Sequence, residues 1–111
     1  MKQVDYKQFE EIEIRVGRVV KAEDFPKAKR PAYKLLIDFG DLGVKKTSAQ
    51  ITALYNKEEL IGRQVVAVVN FPPRQIADFK SEVLLLGAVV DTSEVVLLKP
   101  DRDVPHGCRV L

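Results

Sequence analysis

The hydrophobic positions change their period several times along the chain, and each change predicts a new element. Asp5 can cap a short helix at the start of the chain. The apolar stripe of this helix, at spacings of three residues, consists of Tyr6, Phe9 and Ile12. From residue 12 onwards apolar and polar residues alternate, which predicts a first strand that is bent or bulged at Gly17.

The middle of the chain predicts a β-hairpin followed by a capped helical turn. Apolar and polar residues alternate over 33–39, and a tight glycine-containing connection leads to a second strand over 44–51. Asn56 and Glu59 have the spacing of a capping box, and Gly62 is a typical helix stop. A helix of one or two turns is therefore expected between Asn56 and Gly62.

The second half of the chain predicts three further strands. The Val-rich run 64–70 suits a buried strand, and two prolines then begin a long connection to Lys80. Two more strands follow, over 83–90 and 95–98, separated by a polar turn. Many short strands with little helix indicate a mainly all-β fold. The strand number suits a five-stranded Greek-key barrel of the oligonucleotide- and oligosaccharide-binding (OB) type, with short helices and terminal extensions.

The composition predicts one soluble domain spanning residues 1–111. The chain is 46% hydrophobic and 31% charged, without repeats or low-complexity tracts. It has neither the apolar core of a signal peptide nor a run of about 18 apolar residues, so a cytoplasmic location is expected. At this length folding buries only about two-thirds of the surface of the unfolded chain, so a second copy would add useful burial.

Catalytic and metal-binding chemistry find little support in the sequence. The chain has one histidine and one cysteine, His106 and Cys108, which is too few for a structural zinc site and leaves no evident nucleophile relay. We interpret His106 as an exposed turn residue and Cys108 as a small apolar filler. No glycine-rich phosphate loop is present. An enzyme, a metal site and a cofactor are therefore not expected.

The formal net charge of +2 conceals a basic border along the predicted hairpin. The segment 26–37 contains no acidic residue and has four cations: Lys27, Lys29, Arg30 and Lys34. The segment 42–57 adds three lysines without an acid, whereas 5–13 has an acidic excess. Ligands of OB barrels lie across strands two and three, between the loops that join strands one to two and four to five. The four cations fall in and beside the first loop, although a solvated turn would have the same composition.

The predicted second ligand loop, residues 70–81, mixes cations with apolar side chains. It carries Arg74 and Lys80, and interleaved with them are Phe71, Ile76 and Phe79. Cations can hold phosphates and rings can stack on bases. An apolar patch can instead receive side chains of an unfolded polypeptide, and core packing of the two rings is a further alternative.

Several short segments distributed over the whole chain carry a family resemblance. They are IRVGRV at 14–19, KLLIDFG at 34–40, SAQIT at 48–52, VNFPPR at 69–74, FKSEVL at 79–84 and VPHG at 104–107. Together they resemble the tRNA-binding domain family, whose barrels stand alone or are appended to methionyl- and phenylalanyl-tRNA synthetases. The segments 48–52 and 79–84 are most similar to the CsaA branch of that family.

This resemblance implies a non-enzymatic homodimer in which the terminal segments build the subunit interface. The apolar residues at the two ends of this chain would form it: Tyr6, Phe9, Ile12, Val110 and Leu111. The CsaA branch implies a chaperone that binds unfolded or precursor proteins for export, together with weak tRNA binding. A structure-selective tRNA-binding protein and a purely structural assembly module are the alternatives.

The tRNA-binding motif of the family is only partly matched here. Members that bind tRNA usually carry Asn-Leu-Lys-Pro-Arg-Lys before Ser-x-Gly-Met. Asn70, Pro73, Arg74 and Ser81 match, but two lysines and the Gly-Met pair are absent, which removes phosphate contacts and leaves the loop more apolar. The predicted peptide or tRNA contacts are Lys27, Lys29, Arg30, Lys34, Ser48, Gln50, Asn70, Phe71, Arg74, Ile76, Phe79, Lys80 and Ser81.

Overall fold

The computed structural model describes all 111 residues and shows a mainly β structure with two short helices. In chain order the elements are α1 (Tyr6–Glu10), β1 (Ile14–Asp24), β2 (Tyr33–Asp38), β3 (Val44–Ala49), α2 (Lys57–Leu60), β4 (Gln64–Val68), β5 (Arg74–Ile76), β6 (Phe79–Ser81), β7 (Leu84–Leu85), β8 (Gly87–Asp91) and β9 (Glu94–Leu97). Neither helix has the length and apolar character needed to cross a bilayer.

Five antiparallel strands in the order β3-β2-β1-β4-β7 form a nearly closed barrel. Contacts between β3 and the segment before β7 draw the two ends of this sheet together. The Glu82 amide donates to the Lys46 carbonyl at 2.8 Å, and the Lys46 amide donates to the Glu82 carboxylate at 2.9 Å. The predicted five-stranded barrel of the OB type is thereby confirmed.

The core fills the barrel with alternate residues of β2 and the whole of β4. Tyr33, Leu35 and Ile37 point inwards on β2, while all five residues of β4 are buried. Helix α2 lies between β3 and β4 in the chain, and its last residue, Leu60, is fully buried in the core. Burying one side chain of this size contributes about 1.5–3 kcal/mol, so the alternation in β2 directs the fold. The predicted capping box of α2 is confirmed by the Asn56–Glu59 hydrogen bonds.

The irregularity in β1 lies further along the strand than the sequence predicts. Gly17 pairs regularly with Val65 of β4, and the register shift lies between Val19 and Lys21, opposite β2. Gly17 is instead required by packing, because a Cβ there would lie 2.6 Å from Cγ2 of Ile37. The prediction of a bulge at Gly17 is therefore wrong.

The second half of the chain contains two hairpins, of which β5–β6 lies within the predicted loop and β8–β9 uses only part of the predicted strand 83–90. Within the connection after Asn70, β5 and β6 pair around a tight turn at Ala77 and Asp78. The predicted strand 83–90 is divided into β7, which belongs to the barrel, and β8, which pairs with β9 outside it. Continuous apolar character cannot reveal this division, because β7 and β8 differ in their partners and not in their composition.

The C-terminal segment lies against the first half of β1. The Val110 amide donates to the Ile14 carbonyl at 2.8 Å, and the Gly107 amide donates to the Val16 carbonyl at 2.7 Å. Helix α1 buries none of its residues, and it ends before Ile12, which the apolar stripe had included. The Arg109 guanidinium donates to the Glu10 carbonyl at 2.7 Å, which holds the two termini side by side.

Candidate ligand-binding groove

A groove of about 710 Å³ opens at one side of the barrel, and we call it the basic-rimmed groove. Its walls come from the loop between β1 and β2, the end of β3, the β5–β6 hairpin and the segment from β7 to β9. The buried residues among its lining form an apolar floor and comprise Ala32, Ala49, Ile51 and Leu97. Ile76 and Val89 also line the groove and are more exposed.

The rim of the groove is positively charged. Its exposed cations are Lys27, Lys29, Arg30 and Arg74, and no carboxylate is among the lining residues. Lys27 alone has an ion-pair partner, the carboxylate of Asp78, which lies 2.8 Å from its Nζ. The other three rim cations form no ion pair within the chain and are available to a ligand.

The Lys27–Asp78 contact keeps both groups charged. The hydrogen bond from Lys27 lowers the pKa of the Asp78 carboxyl below its ordinary value. The same hydrogen bond raises the pKa of the Lys27 ammonium group. A carboxylate is therefore a good partner for this lysine at neutral pH.

The groove gathers seven of the thirteen predicted contact residues from three separate segments. They are Lys27, Lys29, Arg30, Ser48, Gln50, Arg74 and Ile76. The four cations and Ile76 were predicted from charge or apolar character in the ligand loops, whereas Ser48 and Gln50 were predicted from the segment that resembles the CsaA branch. Their role in binding stays a prediction, but the fold places them around one cavity.

Lys34 and Phe79 lie outside the groove lining, in a cluster that joins its two walls. The Phe79 ring meets the Phe25 ring edge-on, with centroids 5.4 Å apart. Lys34 Nζ lies 5.5 Å from the Phe25 centroid and 5.8 Å from the Phe79 centroid, and Lys46 contacts Phe79 from 5.3 Å. Phe79 therefore anchors the β5–β6 hairpin to the barrel through aromatic and cation–π contacts.

Asn70 and Phe71 lie near the N-terminal segment rather than in the groove. The Asn70 side chain accepts a hydrogen bond from the Glu13 amide at 2.9 Å and donates to the Glu11 carbonyl at 2.8 Å. These two bonds fix the turn between α1 and β1. Phe71, the next residue, is exposed.

Ser81 and Lys80 have different environments, although they are neighbours on β6. Ser81 is buried, and its hydroxyl accepts from the Ser48 amide at 3.0 Å and lies 3.1 Å from the Thr47 hydroxyl. Its side chain thus closes the barrel. Lys80 is exposed and stands opposite Gln75 on the hairpin. Contact of either residue with a ligand stays a prediction.

The structure adds residues that the sequence reasoning missed. The far wall of the groove is formed by β7, β8 and β9, including Leu85, Val89 and Val95. Val89 and Val95 are cross-strand partners, and an alternation count over 87–97 could have placed them on one face. Asp78 was also missed, because its partner Lys27 is far away in the sequence.

His106 is held more firmly than the sequence suggests. Its Nε2 accepts a hydrogen bond from the Arg18 guanidinium at 3.0 Å, and its Nδ1 lies 3.4 Å from the Asp38 carboxylate. His106 does lie in a turn, as predicted, but the prediction that it is exposed is wrong, because the C-terminal segment folds back onto β1 and brings the partly buried ring between the Arg18 and Asp38 side chains. These contacts attach the C-terminal segment to β1 and β2.

Residues 14–109 match the family described as "Putative tRNA binding domain". The chain therefore belongs to the tRNA-binding domain family, and the resemblance predicted from its segments is confirmed. Among curated relatives, methionine–tRNA ligase of Methanocaldococcus jannaschii is 37% identical over 99% of this chain, which corresponds to 17% of that protein. The enzyme of Methanothrix thermoacetophila is 38% identical over 96% of this chain and 15% of its own length. The chain thus spans a small part of these ligases.

Solved structures that match nearly the full length of both chains include two chaperones named CsaA. The chaperone CsaA of Bacillus anthracis is 50% identical, with a TM-score of 0.96 over 99% of this chain and 100% of that one. The CsaA chaperone protein of Picrophilus torridus is 51% identical, with a TM-score of 0.91 over 98% of this chain and 100% of that one.

Proposed function

We propose that this chain is a single-domain, non-enzymatic, CsaA-like chaperone of the cytoplasm that holds unfolded or precursor polypeptides for export, in contact with the export machinery. The observation that carries the proposal is the basic-rimmed groove, which combines an apolar floor with three unpaired cations. Similarity to the CsaA structures over the full length of both chains supports it.

The dimensions of the groove suit a short extended segment of polypeptide. A cavity of about 710 Å³ lies in the range of sites that enclose small ligands, and its floor can receive apolar side chains. Each apolar Å² removed from water contributes about 25 cal/mol, so capture needs no nucleotide or cofactor. The rim cations can add attraction for acidic residues beside the apolar ones.

The test removes apolar contact from the groove while leaving the core unchanged. Ile76→Ser combined with Val89→Ser should weaken suppression of the aggregation of a denatured client, followed by light scattering. Val44→Ser is the matched control, because Val44 is exposed on β3 and does not line the groove. Suppression by the double variant that equals that of the parent, with the fold verified by circular dichroism, would contradict the proposal.

The second candidate function is binding of tRNA, which the family match favours. We propose that the same rim cations, with Lys34 and Lys80 nearby, would hold phosphates weakly, since two lysines of the family motif are absent. Salt separates the two functions, because RNA affinity falls steeply as salt is added while apolar capture changes little. Absence of tRNA retention on filters at low salt would exclude this candidate.

We also propose that the chain forms a homodimer through its terminal segments. Tyr6 and Leu111, at the two ends of the chain, remain 66% and 76% exposed. Phe9, Ile12 and Val110 are partly exposed beside them. Apolar residues gathered at one place on the surface are typical of an interface, and two copies would present two grooves on one particle.

A further inference from the structure

The tip of the β5–β6 hairpin places an acidic side chain against the rim of the basic-rimmed groove. The turn residues between the paired Ile76 and Phe79 are Ala77 and Asp78. Ala77 has a φ of 53°, in the left-handed region, and its carbonyl accepts a hydrogen bond from the Gln75 side chain at 3.0 Å. This tight turn, together with the Phe25–Phe79 contact, fixes the position from which Asp78 reaches Lys27.

The charged side chains that line the groove are all positive. The lining contains four cations and no carboxylate, and Asp78 supplies the one acidic contact from just outside it. The side chains of Lys27 and Asp78 are 69% and 60% exposed. Ion pairs as exposed as this are weak and screened by salt, so a carboxylate from another molecule can replace Asp78 readily.

We propose that the groove selects polypeptide segments in which an apolar side chain is flanked by acidic residues, and that Asp78 occupies Lys27 until a carboxylate of the client displaces it. This inference rests on the proposed chaperone function and specifies its substrate class. The apolar floor takes the central side chain, and the rim takes the flanks. Basic segments are disfavoured, because like charges would meet at Lys29, Arg30 and Arg74.

The experiment compares short fluorescent peptides that share a Leu-Val-Leu centre and differ in their flanks, which are Glu, Gln or Lys. Anisotropy at low ionic strength should show the Glu-flanked peptide binding about tenfold more tightly than the Gln-flanked one, and the Lys-flanked peptide binding most weakly. Asp78→Asn should raise the affinity for the Glu-flanked peptide about two- to fivefold and leave the Gln-flanked peptide unchanged.

Asp41→Asn is the matched control, because it removes the same charge from an exposed residue that forms no ion pair and does not line the groove. Equal binding of all three peptides would overturn the inference and leave the chaperone proposal standing. If Asp78→Asn changes peptide affinity no more than Asp41→Asn does, the proposal that a client carboxylate displaces Asp78 from Lys27 is wrong. If no peptide binds while tRNA does, both the inference and the chaperone proposal fail.

Discussion

Gly17 shows how a single position is determined by residues on a neighbouring strand. It lies in β1 with regular pairing to β4, and its missing side chain leaves room for Ile37 of β2 and for Phe39, which directly follows β2. Both of these residues are fully buried, so neither can move aside into solvent. Close packing of protein interiors makes such a position intolerant of even one added methyl group.

Gly17→Ala should therefore lower the free energy of unfolding by about 1–3 kcal/mol, the usual cost of overpacking a core. Urea denaturation measures the change. Gly43→Ala is an informative comparison, because Gly43 has a φ of 89° but nothing within 4 Å of the added Cβ. Its cost should come from the backbone conformation, which is essentially restricted to glycine, at about 1–3 kcal/mol. A Gly17→Ala protein as stable as the parent would contradict the packing argument.

The sequence showed that Gly17 interrupts an apolar alternation, but it could not supply the reason. The reason depends on Ile37 and Phe39, which lie some twenty residues further along the chain and cross β1 only in the folded barrel. His106 is a similar case, since Arg18 and Asp38 are brought to it by the fold. Local pattern identifies an unusual residue, whereas its contacts follow from tertiary structure.

At the scale of elements, the barrel closes through side chains as well as backbone. Thr47 is fully buried on β3, and its hydroxyl lies 2.7 Å from the Val83 carbonyl and 3.1 Å from the Ser81 hydroxyl. Ser81 in turn accepts from the Ser48 amide. This polar network joins the two edge segments of the sheet where the regular ladder is short.

Thr47→Val keeps the shape of the side chain and removes its hydrogen bonds. The Val83 carbonyl then loses this buried partner, so the free energy of unfolding should fall by about 1–3 kcal/mol. Thr52→Val is the control, since Thr52 is partly exposed and its hydroxyl makes no hydrogen bond within the chain. Equal effects of the two substitutions in chemical denaturation would show that the network does not hold the barrel closed.

Elements with strong periodicity were predicted well, and the short hairpin was not. The β2–β3 hairpin and the capped α2 follow from alternation and capping residues, which act within a few positions. The β5–β6 hairpin has strands of three residues, too short to carry a period, and it is held by Phe79 against Phe25. Since Asp78 lies in its turn, the acidic contact at the groove could not be predicted either.

At the scale of the whole molecule, the small net charge of +2 is unevenly distributed. The cations around the groove come from the β1–β2 loop and β5, whereas the acidic excess of residues 5–13 lies at the N-terminal segment. In that segment the hydrogen bond from Arg15 lowers the pKa of the Glu13 carboxyl, and Arg109 lies 3.5 Å from the same carboxylate. The acidic segment thus binds the C-terminal segment, and three of the four rim cations stay unpaired.

The same contacts assemble the predicted dimer surface from both ends of the chain. The Arg109 side chain donates to the Glu10 carbonyl at the end of α1, and Val110 and Leu111 follow directly in the chain. Because stable interfaces bury about 800 Å² on each partner, they need apolar residues from more than one segment, and the paired termini supply two. The structure explains why the two ends can act together, which their positions in the sequence do not show.

We expect the parent chain to have twice the 12.5 kDa mass of one copy in light scattering at micromolar concentration. Tyr6→Ser combined with Leu111→Ser should shift the mass to that of one copy, because both side chains would leave the apolar surface. Val44→Ser, also exposed but on β3, should leave the mass unchanged. Folding coupled to association also makes the melting temperature rise with protein concentration, in the parent and not in the double variant. A parent chain with the mass of one copy would show that the exposed termini do not form a dimer interface.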